Sequence, residues 1–214
     1  TGTNALTVTS GGAVSVVGIT SGALAITGTG ITLNNNITTT GAQTYTGAVT
    51  LGDAITLTSN NNTVSFSGSG STVNGAKDFT VNAGSGAINF GGVVGGTGVL
   101  SSLTLTTTHA TGITLSGNIT TTGAQAYNGN TTLTANTTLT TTNSDVSFGG
   151  TLNGNGVFNV VNATIQSVTG GIGGGTACGI HSGNGSPRLL PHGGAGAGIH
   201  PRRRHLSGES RPPF

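Results

Sequence analysis

Apolar residues in this chain come in pairs separated by one residue, usually Thr or Ser. The pairs recur throughout: Leu6-Val8, Ile31-Leu33, Ile55-Leu57, Val64-Phe66, Phe79-Val81, Ile88-Phe90, Leu103-Leu105, Ile113-Leu115, Val146-Phe148. Alternation with period two is the pattern of a strand with one buried face. Between the pairs lie turn residues that tolerate positive φ, such as Gly11-Gly12, Asn34-Asn35-Asn36, Asn60-Asn61-Asn62 and Gly95-Gly96. No helical period is present. Many short strands combined with a long internal repeat predict a solenoid rather than a closed domain. A β-sandwich is the competing architecture. It needs bulk to fill a core about 10 Å thick between two sheets, and the chain has six Phe, two Tyr and no Trp. Stacked Val, Ile, Leu and Thr are enough for a narrow β-helix, so the predicted fold is an all-β, right-handed parallel β-helix.

The repeat is explicit. Ile37-Thr-Thr-Thr-Gly-Ala-Gln-Thr-Tyr45 returns as Ile119-Thr-Thr-Thr-Gly-Ala-Gln-Ala-Tyr127, and Val64-Ser-Phe66 as Val146-Ser-Phe148, both at an offset of 82. The two copies lie near residues 30–97 and 112–176. At roughly 20 residues per coil the offset predicts about four coils, and the whole repeat region about eight coils and about 40 Å of rod, from a strand spacing of about 4.8 Å. Parallel stacking would align like residues into Asn and Thr ladders.

Charged residues make up 5% of the chain, against about a quarter in an ordinary globular domain. Their distribution divides it in two. Residues 1–176 carry Lys77 against Asp53, Asp78 and Asp145. Residues 177–214 hold the only Cys, all five Pro, all five Arg and four of the five His. The pI near 9.2 therefore belongs to the tail, and it is no nucleic-acid signal for the chain as a whole. The second copy should continue past Thr176 as the first does past Thr97, but the pattern stops there. The tail reads as a disordered, out-of-frame translation of GC-rich DNA, ahead of a natural disordered terminus. The chain also starts in mid-pattern, with no apolar leader and no apolar run near 18 residues. That predicts an internal or C-terminal fragment of a longer protein. The absence of Cys from the repeat region suits an exported chain.

The unit Gly-Ile-Thr-Leu-x-x-Asn-Ile-Thr-Thr-Thr-Gly-Ala-Gln-x-Tyr, at Gly30–Tyr45 and Gly112–Tyr127, resembles the β-strand repeats of large bacterial surface exoproteins. These are the filamentous-haemagglutinin-like adhesins of two-partner secretion and the passengers of autotransporters. The resemblance covers nearly all of residues 1–176. It implies a right-handed parallel β-helix, export across a Gram-negative outer membrane through a transporter or barrel, and a role in adhesion or biofilm.

Candidate chemistry is sparse. Polysaccharide lyases and hydrolases of this shape use clustered charges, and a glycosidase pair needs carboxyls about 5–9.5 Å apart. Asp53, Asp78 and Asp145 show no common register in the sequence, and Asp53 and Asp78 read as turn residues. Thr-x-Thr runs, such as Thr7-Val8-Thr9 and Thr120-Thr121-Thr122, are similar to those of ice-binding solenoids. They are spaced irregularly, however, and Thr as an exposed strand former accounts for them. The Asn-x-Ser/Thr sequons at Asn36, Asn118, Asn136 and Asn162 follow from composition. Cys178, His181, His192, His200 and His205 fit no closed zinc knuckle, and Arg202-Arg203-Arg204 lack aromatic partners for nucleic acid. No catalytic, metal or cofactor residues are predicted, and no enzyme activity. The expected function is a stalk segment of a secreted or surface-displayed adhesin. Its expected partners are host glycans, matrix or neighbouring cells, bound weakly and multivalently.

Overall fold

The computed structural model describes residues 3–154, 157–168 and 172–173. The tail beyond residue 176, and the boundary drawn there, lie outside the described residues. Every regular element among the described residues is a strand, and the strand pairings are parallel. The chain winds into stacked coils, forming a β-solenoid of about seven turns.

Three ladders run along the axis. The first joins Leu6, Leu24, Gln43, Val64, Ile88, Ile113, Thr131 and Leu152. The second joins Val14, Ile31, Val49, Val73, Val94, Ile119, Leu139 and Val160. The third joins Ile19, Ile37, Leu57, Val81, Leu105, Tyr127 and Phe148. The coils differ in length. In the second ladder the step from Val14 to Ile31 takes 17 residues and that from Val94 to Ile119 takes 25. Corners absorb the difference, because a strand must keep its alternation while a turn need not. Gly47 (φ 133°) holds one corner, where a Cβ would collide with the Gly28 carbonyl one coil below.

The core is one continuous column. From Leu24 to Val160 its apolar members are almost wholly buried. Its widest layers are aromatic: Tyr45, Phe66 and Phe90 occupy one register on successive coils and stack with centroids 5.0 and 4.8 Å apart. Phe79, from the third ladder, meets Phe66 edge-on at 5.8 Å. Tyr127 and Phe148 form a second stack at 5.0 Å, with Phe158 at its edge. Five of the six Phe and both Tyr are thus used to fill the interior.

Corner Asn residues tie the coils together. The side-chain carbonyl of Asn36 accepts from the Thr56 amide one coil on at 2.7 Å. Asn118 does the same for Thr138 at 2.9 Å, and Asn136 for Val157 at 2.8 Å. Asn36 and Asn118 are repeat counterparts, as are Thr56 and Thr138. The expected Asn ladder is therefore side chain to backbone.

The expectation of four coils per repeat needs correction. Gln43 lies in the first ladder and its counterpart Gln125 in the third. Ile37 lies in the third and its counterpart Ile119 in the second. The second copy stands one face away from the first, so the 82-residue offset falls one face short of four turns. The coils between the copies are longer than the average used in the sequence argument.

Candidate functional site

The repeated phrase builds a closed polar cluster inside the core. Tyr45 donates its phenol hydrogen to Gln43 Oε1 at 2.9 Å. Gln43 Nε2 donates to Thr39 Oγ1 at 3.1 Å and to the Thr58 carbonyl of the next coil at 2.9 Å. Thr39 donates in turn to the Gly41 carbonyl at 2.6 Å. The second copy repeats each bond: Tyr127 to Gln125 at 2.8 Å, Gln125 to Thr121 at 3.2 Å and to the Thr140 carbonyl at 2.9 Å, and Thr121 to the Gly123 carbonyl at 2.6 Å. Thr39, Gln43 and Tyr45 are at most 1% exposed. Burial pushes both phenols well above their ordinary pKa, because the charged form would lose its water. With each polar group satisfied and no access from solvent, the cluster is a structural lock and offers no chemistry to a ligand.

The charged residues of the described part gather at one edge of the third ladder. Asp78 lies directly opposite Ser102, whose hydroxyl donates to it at 2.7 Å. Extending the neighbouring registers by one residue places Ala124 and then Asp145 in that same column, and extending by two puts Asp53 one coil from Lys77. Asp78 and Asp145 therefore do share a register, contrary to the sequence reading. They are three coils apart, about 14 Å at the usual strand spacing, which is beyond the reach of a glycosidase pair. Among the described residues no group of three His, Cys, Asp or Glu could hold a metal. Cys178, His181, His192, His200, His205 and Arg202–Arg204 lie outside the described residues. The sequons at Asn36, Asn118 and Asn136 sit on side chains already committed to bracing the next coil.

Sequence reasoning missed the surface of the third ladder. Thr56, Thr80 and Thr104 form one outward column, and Thr58, Asn82 and Thr106 a second beside it. Over these three coils the register is unbroken and each step is 24 residues. The signal was present in the sequence as the equal spacing of Ile55, Phe79 and Leu103. Shorter steps on either side of it in this ladder conceal it.

No family model matches the chain, and neither a curated protein nor a solved structure shows significant similarity to it.

Proposed function

We propose that residues 1–176 form a stalk segment of a secreted or surface-displayed bacterial adhesin that serves cell adhesion, biofilm or host attachment. The observation that carries this reading is a core column running unbroken through the coils beneath a polar exterior with almost no charge. Such a rod gains length by adding coils and needs no second core. Its outward Thr, Ser and Asn side chains supply many weak hydrogen bonds to host glycans, matrix or neighbouring cells, and multivalency makes their sum useful. Export through an outer-membrane transporter or barrel belongs to the same reading, as does a cell-surface location.

An in-frame deletion of residues 1–176 from the encoding locus tests it. Surface labelling and attachment to epithelial cells or to abiotic surfaces are the readouts. The reading expects surface-exposed protein in the parent strain and weaker attachment in the deletion strain. Protein retained in the cytoplasm, or attachment unchanged by the deletion, overturns it.

A further inference from the structure

We infer that the third ladder's outer surface, centred on Thr56, Thr58, Thr80, Asn82, Thr104 and Thr106, is a water-ordering face that adsorbs to ice. The inference stands independently of the adhesin reading. The objection from sequence was irregular spacing of Thr. It fails on the solenoid, because corner loops take up the irregularity and the strands stack in strict register. The result is a two-column lattice. Its repeat is about 4.8 Å between coils and about 6.7 Å between columns, as strand spacing and two residues of strand rise dictate. Repeats of this size are close to oxygen spacings on low-index planes of hexagonal ice.

The side chains suit that occupant. Five of the six present a methyl beside a hydroxyl, and all six are uncharged. Buried Thr39, Thr107, Thr121 and Thr141 spend their hydroxyls on backbone carbonyls. Among the described residues, the hydroxyls of Thr56, Thr58, Thr80 and Thr104 have no such protein partner, while Thr106 accepts from Asn128 at 3.3 Å. They are left to water, held in position by stiff β-branched side chains on a continuous sheet. Other occupants fit less well. The patch has no cation for an anionic polymer and no aromatic ring for a sugar to stack on. The Phe and Tyr side chains of the described residues are all in the core.

The first ladder's outer surface is a built-in control. It places Ser65, Ser67 and Asn89 among its Thr residues, and the Ser116 and Thr134 hydroxyls bond each other at 2.7 Å. The experiment measures freezing hysteresis and inhibition of ice recrystallisation with the full chain, its Thr80→Tyr variant and a Thr114→Tyr variant on the first ladder. Circular dichroism melting shows that all three remain folded. A second pair, Thr80→Val and Thr114→Val, keeps the bulk of Thr and covers the case in which a tyrosine unfolds the coil. The expected result is activity in the full chain, reduced several-fold by either change at Thr80 and unaffected by either change at Thr114. The inference is overturned if the folded chain acts no differently from an ordinary globular protein at equal concentration, or if the two positions respond alike.

Discussion

Ile37 and Tyr127 stand in one axial ladder, four coil steps apart, although the repeat makes Tyr127 the counterpart of Tyr45. The unit that the sequence repeats is therefore the strand with its turn, and a coil is only three of these in succession. A phrase such as Thr-x-Gly-Ala-Gln-x-Tyr needs a buried strand position and a carbonyl from the next coil above it. Any face of the solenoid supplies both. Duplicated segments can then be joined without matching whole turns, since the register with the next coil is set locally.

This equivalence makes Gln43→Leu and Gln125→Leu a matched pair. Each removes an amide that satisfies a Thr hydroxyl, a backbone carbonyl and a Tyr hydroxyl. Stranding those groups in the core should cost about 2–4 kcal/mol at either site. Denaturant unfolding of the two variants is expected to give the same loss within about 1 kcal/mol, despite their different faces. A large loss at one site and none at the other would show that the face matters.

The aromatic stack yields a second expectation. Phe66 lies between Tyr45 and Phe90 and also meets Phe79. Phe66→Ala opens a cavity that a continuous column cannot collapse to fill, so a loss of about 3–5 kcal/mol is expected. Phe66→Leu should recover much of it. Equal losses for Ala and Leu would mean that ring stacking, rather than volume, dominates.

Much of the architecture was legible because strand alternation is a local signal. Ile55, Leu57, Phe79 and Val81 are buried as the period-two pattern requires, and the Thr between them faces outward. The phase of the coils was less legible. Only the strands keep a period, and variable corners such as that between Val94 and Ile119 destroy any single repeat length. Gln43 and Gln125 were visible as part of a phrase but not as core, because Gln is a residue usually found exposed. Their burial depends on partners that come from the next coil. The shared column of Asp78 and Asp145 was hidden for the same reason.

Asn36 and Asn118 test the corner braces. Asn36→Ala removes the acceptor for the Thr56 amide, and Asn118→Ala that for the Thr138 amide. Both positions are exposed, so water can replace part of the bond and each loss should be about 1 kcal/mol. Asn36→Asp keeps an oxygen in place and should retain most of the stability at neutral pH. Thermal melts of the three variants distinguish a brace from a mere turn preference. In the latter case Asp, itself a turn former, would keep the same advantage over Ala at low pH as at neutral pH.

The buried phenols predict alkaline instability. Burial holds the Tyr45 and Tyr127 hydroxyls protonated in the folded chain well above the pKa of an exposed phenol. The unfolded chain releases those protons near pH 10. Above that pH the unfolded state binds fewer protons than the native state, so stability falls as pH rises. Below pH 10 the two states bind the phenol protons equally, and this contribution is constant. The slope should approach about 1.4 kcal/mol per pH unit for each Tyr. Chemical denaturation between pH 9 and 11.5 is expected to show it, and the double variant Tyr45→Phe, Tyr127→Phe should lose the slope. That variant starts less stable, since Gln43 and Gln125 each lose a donor. The steepness of the alkaline limb, rather than the starting stability, is therefore the quantity that decides. An undiminished slope in the double variant would assign the alkaline loss to other groups and sink this account of the two phenols.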